Sequence, residues 1–360
     1  MSTTTAHPSA RPGTQVPAGT AAGHGRGDAS GRKRTAWLAA AVVVLVLLAG
    51  ASLAVGAREV PLGTVWQALT AFDAANGDHA VVLARIPRTV LGLLAGGALG
   101  LAGAAMQGVA RNPLADPGII GVNAGAALAV VTGIYVFGVT TFTGYVWFAF
   151  IGAAAAAVVV YLIASLGRDG ATPVKLALAG AALSAGLSSL MNVILVSSRD
   201  TLDRFRFWQV GGIAGRDWSV LLPALPFLAA GVLIVLLAGR TLNSLALGDD
   251  LARGLGQRVG LSRAVTALGI VLLCGTATAL AGPIGFIGLV IPHAVRFITG
   301  PDYRWILPFS LAAAPALLLG ADIIGRVVLL PGEVPAGIMT ALVGAPVFVW
   351  LVRRGKGASL

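Results

Sequence analysis

The chain has 360 residues, of which 57% are hydrophobic and 11% charged, with a net charge of +11 and a mean hydropathy of +0.88. These values exclude an ordinary soluble domain and a disordered chain, and they point to a polytopic membrane protein. The single cysteine, Cys274, lies within an apolar run, which excludes a disulfide framework and a cysteine-based metal site.

Residues 1–35 are rich in Gly, Ala, Ser and Thr, carry Arg11, Arg26, Arg32, Lys33 and Arg34, and lack apolar periodicity. They are expected to form a disordered basic tail. The apolar run that follows is too long for the core of a signal peptide and no small-residue cleavage site follows it, so it reads as a first membrane helix. Ten runs of spanning length follow one another at 37–57, 90–109, 117–139, 145–166, 174–196, 218–239, 264–281, 283–299, 305–328 and 335–352. A helix needs about 20 residues to cross about 30 Å of hydrocarbon. Backbone groups in lipid must be satisfied within the segment, and these runs are too long and continuous for barrel strands. The expected fold is therefore all-α: a membrane helix bundle of about ten spans over residues 36–354, followed by a short tail at 355–360. Pro283, Pro292, Pro301 and Pro308 break up the eighth and ninth runs.

With the amino-terminal tail in the cytoplasm, ten spans return the carboxyl terminus to the same side. That arrangement places 17 of the 25 Lys and Arg residues inside, as the positive-inside rule expects. The net positive charge then reflects topology and calls for no nucleic-acid partner. Arg85, Arg88 and Arg326 fall at the outer ends of spans. Two readings are open for them: they snorkel or pair with Asp322 and Glu333, or they form a basic surface for an acidic extracellular partner. The segment 199–217, with Arg204, Arg206, Trp208 and then Trp218, fits an interfacial helix as well as a partner site.

Within the spans Asp322 is the one carboxylate, and it sits near an end. A gradient-driven transporter would have to use it as its coupling group. Gln107, Asn123, Ser184 and Asn192 are suited to hydrogen bonds between helices, and the small residues from Gly92 to Gly100 to close helix packing.

The polar segment 240–263 is of another kind. Leu247, Leu251 and Leu255 recur every fourth residue and would make one apolar stripe on a helix. Asp249 and Asp250 fall in the first turn, where the helix dipole favours them, and Asp249 is spaced to pair with Arg253. Gly254 and Gly256 offer a stop. An acidic first turn suits a protein groove better than an anionic lipid surface.

The motifs then carry a resemblance. Arg85-Ile86-Pro87-Arg88 is followed by the run from Arg111-Asn112-Pro113-Leu114 to Asp116-Pro117-Gly118, and by Gly121-Val122-Asn123-Ala124-Gly125. Further on come Leu245 to Gly256, the run from Gly285-Phe286-Ile287-Gly288 to Pro292-His293, and Pro335-Ala336-Gly337 with Gly344-Ala345-Pro346. In order and spacing the chain resembles the FecCD-type permeases, which serve ABC importers of iron-siderophores, haem and cobalamin (type II importers, ten helices per subunit). The resemblance implies a subunit without catalytic residues, cofactor or bound metal, working in the cell membrane as a homodimer or with a paralogue. It implies cytoplasmic ATPase subunits, an extracellular substrate-binding protein, and a ferric siderophore as substrate, with haem or cobalamin as alternatives. Leu247, Gly248, Asp249, Asp250, Leu251, Ala252, Arg253, Leu255 and Gly256 would seat in a cleft of the ATPase. Arg85, Arg88 and Arg326 would meet glutamates of the binding protein. The resemblance places His293 in a family motif, where a structural hydrogen bond is expected rather than a haem or iron ligand. No phosphate-binding Gly-x-x-x-x-Gly-Lys-Ser/Thr loop is present.

Overall fold

The structure, a computed structural model, describes residues 24–166 and 171–355. Residues 1–23 of the expected tail, Arg168 and residues 356–360 lie outside the described residues. Fourteen α-helices are described: α1 (His24–Ala54), α2 (Leu62–Thr70), α3 (Gly77–Val109), α4 (Val122–Phe137), α5 (Phe142–Ser165), α6 (Pro173–Ser197), α7 (Arg199–Gln209), α8 (Trp218–Leu237), α9 (Gly239–Ala246), α10 (Asp249–Gly254), α11 (Val259–Ala281), α12 (Ile287–Thr299), α13 (Tyr303–Val328) and α14 (Ala336–Gly355). Seven are long and apolar enough to cross a membrane, and α4, α12 and α14 are shorter apolar helices. Together these ten match the ten runs read from the sequence.

Three boundaries differ from expectation. The helix of the first span begins at His24, inside the stretch expected to be without structure. Once a helix is nucleated, each added residue brings a backbone hydrogen bond. The second helix starts at Gly77 rather than near residue 90, so Arg85-Ile86-Pro87-Arg88 is part of α3. Asn76 caps it by accepting from the Asp78 N–H at 3.0 Å. At 33 residues, α3 is about 50 Å long and outreaches the hydrocarbon. The third run is divided: a 3₁₀ turn over Pro117–Ile120 precedes α4, with Gly121 between them at φ 78°.

Short polar residues mark many of the helix starts. Thr141, Thr172, Ser198, Asp217 and Asp302 each accept a backbone N–H of the first turn of α5, α6, α7, α8 and α13. The 13-residue α12 is too short to span alone. Residues 282–286 precede it as irregular backbone, with Gly282 and Ile284 buried and Gly282 lying against the Trp208 carbonyl and Gly211. The neighbouring Gly212 N–H donates to the Ala281 carbonyl at 2.7 Å. Such backbone is tolerated at membrane depth when protein surrounds it.

The centre of the bundle is α3, which is buried almost without interruption from Thr89 to Val109 and packs on α11, α12 and α13. Its glycines set the spacing. A Cβ on Gly103 would overlap the backbone of Gly288 in α12, and one on Gly96 or Gly100 would run into Pro315 or Ala314 of α13. Without a hydrophobic drive between helices in lipid, such close approach is what holds spans together. The expected packing role of the Gly92–Gly100 stretch is thus realised. Gln107 Nε2 donates to the carbonyls of Gly288 and Leu289 at 3.3 and 3.2 Å, and Thr278 Oγ1 donates to Asn123 Oδ1 at 3.0 Å. Asn192 is exposed on α6.

Candidate functional site

Functional side chains gather at the two ends of the bundle. At one end the segment 239–258 folds as two short helices, α9 and α10, with Gly248 between them at φ 112°. A residue with a Cβ is strained at that angle, so glycine permits the turn. Leu245, Ala252 and Val259 close over a small apolar core of their own. Leu247, Leu251 and Leu255 do the reverse: they are 59%, 61% and 62% exposed. The three leucines are exposed as a set, but not as a stripe on one helix: Leu247 is the carboxyl-terminal cap of α9, before the Gly248 turn, and Leu251 and Leu255 lie in and just after α10.

Asp249 fastens this unit to the bundle, though not through the residue expected. Arg263 of α11 donates to both of its carboxylate oxygens, at 2.8 and 3.1 Å, and Arg111, just past α3, also pairs with it. Arg111 Nε further donates to the Leu245 carbonyl at 2.6 Å. Arg253 pairs instead with Asp250 at 2.9 Å, three residues back, because Asp249 is turned toward α11. Partial burial pushes the Asp249 carboxyl up, but the hydrogen bonds and charges of Arg263 and Arg111 outweigh it and hold it below the usual carboxylate range. With the folded value depressed, this attachment is complete above the ordinary carboxylate range near pH 4. It is lost as the pH falls through the lower folded value. A second tie runs from Asn243 in α9 to Asp302 Oδ1 (2.6 Å) and from the Tyr303 N–H back to Asn243 Oδ1 (2.8 Å). The hydrogen bond from Arg304, with that from Asn243, draws the Asp302 carboxyl down to about 2.

At the other end, the three outer arginines are engaged inside the protein. Arg85 donates to the carbonyls of Leu53, Ala54 and Arg58 at 2.9, 2.9 and 2.6 Å. Arg88 bridges Asp322 at 2.8 Å and Glu333 at 2.7 Å. Arg326 is 1% exposed; it pairs with Asp322 and donates to the Ser52 carbonyl and hydroxyl at 2.6 and 2.9 Å. The pairing with Asp322 and Glu333 is therefore present. The three differ in reach: the Arg88 side chain is 14% exposed, whereas the guanidinium of Arg326 is enclosed within the protein. Asp322 accepts from both Arg88 and Arg326.

The segment 199–209 is an amphipathic helix: Phe205 and Trp208 are buried, while Arg206 and Phe207 face outward. The expected hydrogen bond of His293 is absent, since both ring nitrogens lack a partner among the described residues. Its ring instead meets Phe297 and Phe348 edge-on, with centroids 5.6 and 6.4 Å away. No cluster of three or more His, Cys, Asp or Glu suited to a metal occurs among the described residues. Sequence reading missed Arg111 and Arg263 as the anchors of Asp249; the nearest signal was Arg111 at the head of a motif that had no assigned task.

The model of the FecCD transport family matches residues 42–354. The "Probable siderophore transport system permease protein YfiZ" of Bacillus subtilis (strain 168) is 43% identical over 89% of this chain and 96% of its own. The ferric enterobactin transport system permease protein FepD of Escherichia coli (strain K12) is 47% identical over 87% of this chain and 93% of its own. The solved structure "An inward-facing conformation of a putative metal-chelate type ABC transporter" superposes with a TM-score of 0.77 at 29% identity, over 89% of this chain and 99% of that one. With the ten spans, the stapled loop helix and a family match over most of its length, the chain belongs to the FecCD transport family.

Proposed function

We propose that this chain is the membrane-spanning permease subunit of an ATP-driven importer that carries ferric siderophores across the cell membrane, with both termini in the cytoplasm. One observation carries the reading: three leucines stand exposed along the α9–α10 unit, Leu251 on α10 and Leu247 and Leu255 flanking it, and Asp249 ties the unit to Arg111 just past α3 and to Arg263 of α11. An apolar surface of that kind is built to enter a groove of a partner. The partner is a cytoplasmic ATPase, and its closure on nucleotide is passed through Asp249 to Arg111 and Arg263, and so to the two helices. The subunit performs no chemistry itself.

At the outer face an extracellular binding protein presents acidic residues to the arginine group. Arg88, whose side chain is 14% exposed, is the member that meets the partner, and Arg85 and Arg326 hold the outer ends of α1, α3 and α13 in position. The apolar faces of α6 and α14, with Leu178, Leu190, Val193, Ile338 and Leu342 exposed, are covered by a second permease subunit and by lipid.

The test is uptake of radiolabelled iron, presented as a panel of ferric siderophores and as haem, in cells with and without this gene. Loss of uptake for one siderophore class is the expected result. Undiminished uptake from every siderophore, with loss only for haem, would replace the cargo; undiminished uptake from all sources would remove the iron reading.

A further inference from the structure

Between α1 and α3, the helix α2 turns apolar side chains in two directions. Val65 and Ala68 are buried and pack with Ala54 at the end of α1 and with Val82 of α3. Leu62, Trp66 and Leu69, four and three residues apart, fall on one side of a helix, and all three are exposed, as is Phe72 just beyond. Gly63, Gln67 and Thr70 occupy the remaining side and are exposed too. The helix is closed by local bonds: the Val65 N–H donates to the Pro61 carbonyl at 3.0 Å, the Ala71 N–H to the Gln67 carbonyl at 2.7 Å, and Thr70 Oγ1 to the Trp66 carbonyl at 2.8 Å. Three large apolar side chains thus stand uncovered on an ordered helix, and such a surface marks a contact. No charged side chain occurs between Pro61 and Phe72, so this face offers nothing to the acidic protein that would meet Arg88. The span before it, Gly31–Ala54 with 24 residues, is about 36 Å long, enough to cross about 30 Å of hydrocarbon. Val43, Val46 and Leu47 of that span are exposed, as lipid-facing residues are. The helix α2 therefore begins where the chain has just left the hydrocarbon. The faces given above to a second subunit belong to α6 and α14, which pack on α4, α5, α12 and α13.

We infer that α2 is an interfacial anchor whose partner is the lipid surface: Leu62, Trp66 and Leu69 lie in the boundary between headgroups and acyl chains of the outer leaflet, with Gly63, Gln67 and Thr70 toward water. A short helix with one apolar and one polar side settles at that depth. An indole, apolar in body with a single N–H, is suited to the same layer. Without Lys or Arg the helix gains nothing from anionic headgroups, so the apolar side chains set the contact. The choice of leaflet rests on the reading of this chain as an importer permease with a cytoplasmic amino terminus; the contact with lipid does not.

The test is the accessibility of nitroxide spin labels on the full-length permease in liposomes, read by power saturation with oxygen, which partitions into lipid, and with a water-soluble nickel chelate. Labels are carried one at a time by Leu62→Cys, Trp66→Cys and Leu69→Cys on one side and by Gly63→Cys, Gln67→Cys and Thr70→Cys on the other. Cys274 is buried, and labelling of the unsubstituted protein sets the background. The Leu62, Trp66 and Leu69 side is expected to show an oxygen-to-nickel ratio severalfold above that of the other side. Adding Leu62→Gln and Leu69→Gln to Trp66→Cys should remove most of that excess, and size-exclusion chromatography of each variant shows that the fold is kept. High nickel access on both sides would place the helix in water, and low access to both reagents on the apolar side would place protein over it; either overturns the inference, as does an unchanged ratio in the glutamine variant. The leaflet is read separately: in right-side-out membrane vesicles the Gln67→Cys thiol should react with a membrane-impermeant maleimide. Reaction only after the vesicles are opened would leave the lipid contact standing and overturn the topology on which the importer reading rests.

Discussion

Arg326 shows how a charge can be kept in an apolar bundle. Its guanidinium spends its donors on Asp322 and on the Ser52 carbonyl and hydroxyl, and a further bond reaches the Val55 carbonyl at 3.1 Å. One side chain thereby ties the last turn of α1 to α13, while Asp322 passes the tie on to Arg88 of α3. Removing one partner of a buried pair outright costs about 3–5 kcal/mol; here Asp322 keeps Arg88, so the loss from removing Arg326 falls below that and comes also from the orphaned Ser52 groups. Arg326→Met is expected to lower the thermal unfolding temperature of the permease in detergent markedly, and more than Arg85→Met does, since Arg85 holds only backbone carbonyls. A variant as stable as wild type would make Arg326 a surface residue in all but position. The i,i+4 pair of Asp322 and Arg326 was within reach of sequence spacing, but the pairing of Arg88 was not, because it depends on Asp322 and Glu333 arriving from 234 and 245 positions away.

The α9–α10 unit is the element on which coupling depends in the proposed function. Its short helix is held by ion pairs at the Asp249 end and presents leucines on the free side, so the two aspartates have separate tasks. Asp249 is committed to the bundle; Asp250, with its side chain 98% exposed, is free to face a partner. Replacing both by Lys sets a cation against Arg111 and Arg263 and is expected to abolish uptake while the protein remains in the membrane. Asp249→Asn alone should cut uptake severalfold. Membrane fractionation beside radiolabelled iron uptake reads both outcomes, and full transport by the double variant would dismiss the loop as the coupling element. The acidic first turn and the glycine stop were legible from sequence because they are local, as were the three leucines, though not the break at Gly248 that divides them between α9 and α10. The anchors of Asp249 were not, since the i,i+4 rule pointed to Arg253 and tertiary contact with α11 prevailed. The short α2 was missed for a related reason: nine residues make no span, and its apolar face, Val65 and Ala68, packs with Val60, with Val82 of α3 and with Ala54 at the end of α1.

At the scale of the whole molecule, hydropathy gave the count of ten spans because lipid imposes a length on every crossing. It could not give their order of burial. That order is set by small residues meeting across helices, and α3 stands at the centre because its glycines admit α12 and α13. Gly103→Val would push α12 away along its contact with Gly288, and overpacking of this kind costs about 1–3 kcal/mol or more. The expected outcome is a protein that is made but does not migrate as a single folded species on size-exclusion chromatography. Monodisperse Gly103→Val protein would show that α12 has room the close contact denies it.

The exposed leucines of the α9–α10 unit also bear on the life of the protein in the cell. If the proposed function holds, a permease made in excess of its ATPase would leave Leu247, Leu251 and Leu255 uncovered on the cytoplasmic side, where an exposed apolar segment marks a chain for degradation. The side chains proposed to seat in the ATPase would then also mark the orphan subunit for removal, and the steady amount of permease would follow its partner's supply rather than its own rate of synthesis.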